Sequence, residues 1–208
     1  YGGRTVPADG KLTDIWAKAV VLRDAQKNEV VLITADLVGI GTESTKWVAE
    51  QLKKNHGLER NQFAIATSHT HTGPALSDNL VPLHFLRADE AQQNRIAEYT
   101  QQMRQMLVDV VGLAYKEMEP AYLTSGSGHC TVAVNRRTNR EAEVPQKRLE
   151  GKLNGPFDHD VPVLAIRNAE YELKTVVFGY ACHSTVLSFT QWSGDYPGFA
   201  QLELEKRY

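Results

Sequence analysis

The 208 residues carry 42% hydrophobic and 23% charged side chains, ordinary globular usage, which excludes the disordered, collagenous and disulfide-framework classes. Twenty-three Lys and Arg against 25 Asp and Glu leave a formal net charge of -2, so no overall field draws the chain to nucleic acid or anionic lipid, and any partner is recognised at a local site. The longest apolar runs, such as Val30–Ala35, are strand-sized and bounded by charge, well short of the roughly 20 residues of a membrane helix.

Ile15 to Leu22 and Val30 to Ala35 are apolar, β-branched runs separated by the turn Ala25-Gln26-Lys27-Asn28, the pattern of a β-hairpin. From Ser44 to His56, Trp47, Val48 and Leu52 fall at helical spacing, with Thr42 or Ser44 as cap and Gly57 at the C-terminal end. Phe63–Thr67 is a further strand, and it runs into Ser68-His69-Thr70-His71-Thr72-Gly73-Pro74, where Gly-Pro stops regular structure. Ala75 to Arg87 reads as loop. Ala88 to Glu119 then repeats apolar residues at intervals of three and four, one long helix ended by Pro120. Ala121 to Val134 reads as extended, Arg136 to Asn154 as a charged surface loop or lid, and Val161–Ile166 and Val176–Ala181 as short strands. A last helix starts near Phe199. The expected fold is α/β, a mixed sheet with flanking helices, in which residues 1–208 form an incomplete domain. The start at Tyr1-Gly2-Gly3-Arg4 and the stop at Tyr208 inside a helix pattern both read as cut ends. Cys130 and Cys182 read as small buried side chains rather than a disulfide.

Residues at i and i+2 of a strand share a face, so His69 and His71 at a strand end would converge on one point, an arrangement that suits Zn²⁺ or acid–base work. The competing reading is a capped strand whose histidines bond to neighbouring loops. His183 ends the run Val176–Cys182, so a second strand delivers a histidine in the same way, whereas His56, His84, His129 and His159 read as structural. A catalytic zinc site takes three protein ligands and an open position, and here a carboxylate or similar ligand is still missing. Asp36 at its strand end reads equally as support for a ligating histidine or as an acceptor of backbone N–H groups. Of Arg136 and Arg137, at most one can aim a guanidinium at a carbonyl or oxyanion. Asp195 reads as a helix cap.

Taken in order, Thr34-Ala35-Asp36, Ser68-His69-Thr70-His71-Thr72-Gly73-Pro74, Asn135-Arg136, Ala181-Cys182-His183-Ser184-Thr185 and Ser193-Gly194-Asp195 resemble the N-terminal catalytic domain of neutral/alkaline non-lysosomal ceramidases, from about Trp16 to Gly198. The resemblance implies a zinc amidohydrolase that cleaves ceramide, or a related lipid amide, to a fatty acid and an amine. By position it implies that His69 and His183 bind Zn²⁺, that His71 is a non-ligating histidine beside the metal, and that Arg136 is the active-site arginine. The family's remaining ligands, a glutamate and a tyrosine, and its active-site serine fall beyond Tyr208. The chain departs from the family at Arg137 and the charged stretch after it, where ceramidases continue N-R-S-P, the mark of a divergent branch. A lipid amide as small-molecule partner, peripheral contact with a membrane surface, and a secreted or extracytoplasmic setting rest on the resemblance alone. Other H-x-H hydrolases fit less well: metallo-β-lactamase-like enzymes place Asp where Gly73 stands, and a TIM barrel needs a regular alternation that the hairpin and the long helix break. A non-catalytic module on the same scaffold is the alternative from outside enzymes.

Overall fold

A computed structural model describes residues 6–208. It confirms a mixed α/β architecture, and its contacts divide into two compact units: one takes the chain as far as Met118 and resumes with Ser184–Tyr208, the other is Glu119–His183. The single run of sheet expected from the sequence is therefore broken into separate ladders.

In the first unit, strand β1 (Gly10–Lys11) precedes the hairpin of β2 (Ala17–Arg23) and β3 (Glu29–Ala35). The hairpin register runs from Ala17 opposite Ala35 to Arg23 opposite Glu29. Its turn is closed by Asp24, whose carboxylate accepts the Asn28 backbone N–H at 2.8 Å, while Lys27 takes a φ of 69°. Helix α1 (Thr42–His56) carries the chain to β4 (Phe63–Thr67), which pairs parallel to β3. Gly57 ends α1 at φ 72°, a conformation glycine adopts without a Cβ clash, and its N–H bonds back to the Lys53 carbonyl. Helix α2 (Glu90–Lys116) starts at Asp89, whose side chain accepts the Gln92 N–H, and it packs on β2, β3 and α1.

The core reflects two periodicities. Val31, Ile33 and Ala35 alternate along β3 toward one face, Val48 and Leu52 lie one turn apart on α1, and Met103, Leu107 and Val111 form the stripe of α2. Each such aliphatic side chain contributes on the order of 1.5–3 kcal/mol when fully buried.

The start of α1 differs from the sequence expectation. Neither Thr42 nor Ser44 caps it; Gly41 occupies the cap position, and Asp78, from the loop before α2, accepts the Ser44 N–H at 2.7 Å and receives Arg104 at 3.5 Å. Asp78 presses so close that a Cβ on Gly41 would stand 2.1 Å from its backbone oxygen. Gly41→Ala is therefore expected to cost about 3 kcal/mol, from overpacking and a displaced cap together, and to lower the thermal midpoint followed by circular dichroism by roughly 6–12 °C.

The second unit is an antiparallel meander of β5 (Tyr122–His129), β6 (Asp160–Arg167) and β7 (Leu173–Phe178). The segment read as a charged loop contains helix α3 (Val144–Leu149), with Pro145 in its first turn, where a missing N–H costs nothing. It is pinned rather than loose. Asn139, 1% exposed, donates to the carbonyls of Asn135 and Asn154, and Arg148 donates to those of Thr131 and Val132. The extended stretch expected to Val134 ends at His129. Tyr180, beyond β7, secures the residues after β5 by accepting the Ala133 N–H and donating to the Cys130 carbonyl. Cys130 and Cys182 are not joined in a disulfide, and both are half-buried. The chain closes in the first unit with β8 (Gln191–Trp192), parallel to β1, and helix α4 (Asp195–Arg207). Among the described residues, no helix is long and apolar enough to cross a membrane.

Candidate metal centre

β4 ends at Thr67, so His69 and His71 lie beyond the strand, and the pleat does not align them. A tighter device does. His69 takes a left-handed φ of 60°, uncommon for a residue with a Cβ and costing of order 1–3 kcal/mol, which persists only where its surroundings over-determine it. Those surroundings are the intervening threonines. Thr70 and Thr72 are buried, and both hydroxyls donate to the Ser193 carbonyl, at 2.9 and 3.0 Å; Ser193 N–H returns a bond to the Thr72 carbonyl. On the neighbouring strand of chain, Ser184 accepts the His71 N–H with its carbonyl and donates its hydroxyl to Ser68. The alternation Thr-His-Thr-His thus separates two tasks: the threonines lock the turn inward, and the imidazoles are left on the outer side.

The same turn sets the ring geometry. His69 Nδ1 lies 2.5 Å from the Val38 carbonyl, which can only accept, so the proton is on Nδ1 and Nε2 presents its lone pair. His71 Nε2 is 3.3 Å from His69 Nε2, with the rings nearly perpendicular at 75°. In the neutral pair this contact is donated by His71, which places its proton at Nε2. His183 lies five residues past the end of β7, not at a strand end as its apolar run suggested; the peptide bond to Ser184 ties it to the segment bonded to Ser68 and His71. One ring nitrogen from each of His69, His71 and His183 falls within 4.8 Å of the others. Zinc–nitrogen bonds of about 2.0–2.1 Å put neighbouring ligands of a tetrahedron about 3.3–3.4 Å apart, the spacing of the His69 and His71 ε nitrogens, and three imidazoles suit a zinc ion in their chemistry.

The carboxylates do not join this group. Asp36 is buried and accepts the Trp16 N–H at 3.0 Å; burial raises its pKa against that bond. Of its two sequence readings, the acceptor of a backbone N–H is the one found, and the orienting contact to His69 comes from Val38 instead. Asp195 is the first residue of α4 rather than its cap. Wholly buried, with φ 53°, it accepts the N–H groups of Val186, Leu187 and Tyr196 and so ties the loop after His183 to the helix. Arg136 is half exposed and pairs with Glu141 at 2.8 Å within the second unit. Among the histidines read as structural, His56 stacks on Tyr115 at 4.4 Å, and His159 stacks on Phe157 and meets His129 edge-on. His84 instead lines a cavity of about 370 Å³ that also reaches His71, a feature no local pattern indicated.

An α/β scaffold with imidazoles gathered on a strained turn after a parallel strand defines a candidate metal-site protein. The family model for neutral/alkaline non-lysosomal ceramidase, N-terminal, matches residues 1–208, and the chain belongs to that family. Among solved structures, a ceramidase complexed with C2 aligns with a TM-score of 0.72 at 24% identity, over 94% of this chain and 30% of that one. A neutral ceramidase from Pseudomonas aeruginosa aligns with a TM-score of 0.71 at 24% identity, over 94% and 31%. The likeness establishes a shared fold, and the chain spans about a third of the length of these structures. Comparison with curated proteins returns no match.

Proposed function

We propose that this chain carries the histidine portion of an active site for zinc-dependent hydrolysis of an N-acyl amide, ceramide or a related lipid amide. Family membership supports the reaction class, and the observation that carries the reading is the convergence of three imidazole nitrogens within 4.8 Å. His69 and His183 would hold the ion, with Val38 fixing the tautomer that leaves the His69 Nε2 lone pair available. Zinc, when bound, supplies Lewis acidity that polarises a carbonyl and makes water more acidic. His71 is the proton carrier: with His69 Nε2 given to the ion, His71 no longer donates to it, and in the tautomer protonated at Nδ1 its Nε2 takes the proton of the attacking water and passes it to the amide nitrogen. The C–O bond forms as the C–N bond breaks, leaving a fatty acid and an amine. Arg136, brought in by the Asn135-Arg136 motif, would donate to the oxygen that gathers negative charge. Its exposed pair with Glu141 is no obstacle, since such a pair is worth about 0–1 kcal/mol.

The test uses the full-length protein, stripped with a chelator and reloaded. Equimolar release of fatty acid and amine from an N-acyl sphingoid substrate, abolished by stripping and restored by Zn²⁺, is the expected result. Tight zinc without turnover of any lipid amide would leave a binding module on this scaffold.

A further inference from the structure

The cavity beside His71 has the size of a small-molecule site and lies wholly within the first unit. One wall is a single face of α2, on which Arg95, Ile96 and Tyr99 recur at helical spacing; Phe189 and Trp192 add aromatic surface from the chain that leads into α4. Arg87 and Arg95 both line it, no Asp or Glu does, and neither arginine has an ion pair among the described residues. His84, which also lines the cavity, is held below its ordinary pKa chiefly by burial, with the charge of Arg87 among the smaller causes, whereas the guanidiniums of Arg87 and Arg95 stay positive throughout. Planar guanidiniums on an apolar wall, unanswered by carboxylate, are donors shaped for a bidentate anion.

We propose that Arg87 and Arg95 select a substrate that bears an anion, a carboxylate or sulfonate on the amine portion of an N-acyl amide, while the apolar wall takes alkyl surface and the scissile amide lies at His71. The assignment of the amide rests on the hydrolase reading above; the anion preference rests on the cavity. The experiment compares N-dodecanoylglycine with the neutral N-dodecanoylethanolamine, and N-dodecanoyltaurine as the sulfonate arm, on zinc-loaded full-length protein, all below their aggregation concentrations and without vesicles. The expected result is a KM roughly ten- to hundred-fold lower for the anionic amides, a ratio that collapses to about one in Arg87→Gln/Arg95→Gln. Arg87→Lys/Arg95→Lys, which keeps charge but loses the fork, retains a reduced preference and serves where the Gln pair does not fold. Equal KM values in the native protein, or a preference that survives in the Gln pair, overturn the proposal.

The hydrolase reading is decided by the N-acyl sphingoid assay above; if none of these three amides is hydrolysed, the cavity is still tested by binding. Titration followed by the fluorescence of Trp192, with Trp192→Phe as control, should then show tighter binding of N-dodecanoylglycine than of the ethanolamide, lost in the Gln pair. Equal binding overturns the anion site.

Discussion

His69→Ala in the full-length protein is expected to lower bound zinc and amide hydrolysis together, with metal affinity falling by more than the 10–100-fold typical of losing a residue that merely orients a ligand. His71→Ala is expected to keep most of the metal and to lose turnover by roughly 10²–10⁴-fold, the usual contribution of a positioned proton carrier. The contrast is informative because the two ε nitrogens stand 3.3 Å apart, a distance that also suits two ligands of one ion. Elemental analysis after dialysis, alongside kcat/KM, reads both variants. Equal metal loss in the two would make His71 a third ligand and move the proton transfer to another group.

Asp195→Ala should be the most damaging single change to the fold of the first unit. It removes the acceptor of three backbone N–H groups at 2.7–3.3 Å in a wholly buried position and leaves alanine at a left-handed φ of 53°. Unsatisfied buried donors cost about 1–3 kcal/mol each and are not additive, so the expected loss is about 3–5 kcal/mol, a fall in thermal midpoint of roughly 6–20 °C. Asp195→Asn, which keeps one acceptor oxygen and tolerates that backbone, should lose about half as much. Zinc affinity should fall in the same order, because Asp195 anchors the loop after His183. Equal midpoints for Asp195→Ala and the native protein would remove the anchor.

The features legible in the sequence share one property: they are written in neighbouring residues. The hairpin of β2 and β3 shows as two β-branched runs about a polar turn, α1 and α2 as apolar stripes, β4 as a short run broken by Gly73-Pro74, and the three histidines of the group stand out by their place after apolar runs. The ordered motifs likewise carry the family, which needs only their sequence order.

The features that were not legible depend on partners far along the chain. The pairing of His69 with the Val38 carbonyl spans 31 residues, the capping of α1 by Asp78 spans 34 from Ser44, and the lock of Thr70 and Thr72 on Ser193 spans 123 and 121. A buried polar group takes whichever complementary partner folding brings within about 3 Å, and no spacing rule states that choice. For the same reason Asp36 and Asp195, both short acidic residues beside a turn, could not be told apart by type: one accepts one backbone N–H, that of Trp16, and the other gathers three. The strand pleat expected for the His69 and His71 pair is replaced by a strained turn, since the chain has already left β4 when it reaches them. The order of residues along the chain states which imidazoles and guanidiniums are present and where; which of them face one another follows from folding, because hydrogen bonding and burial act through distance in space rather than along the chain.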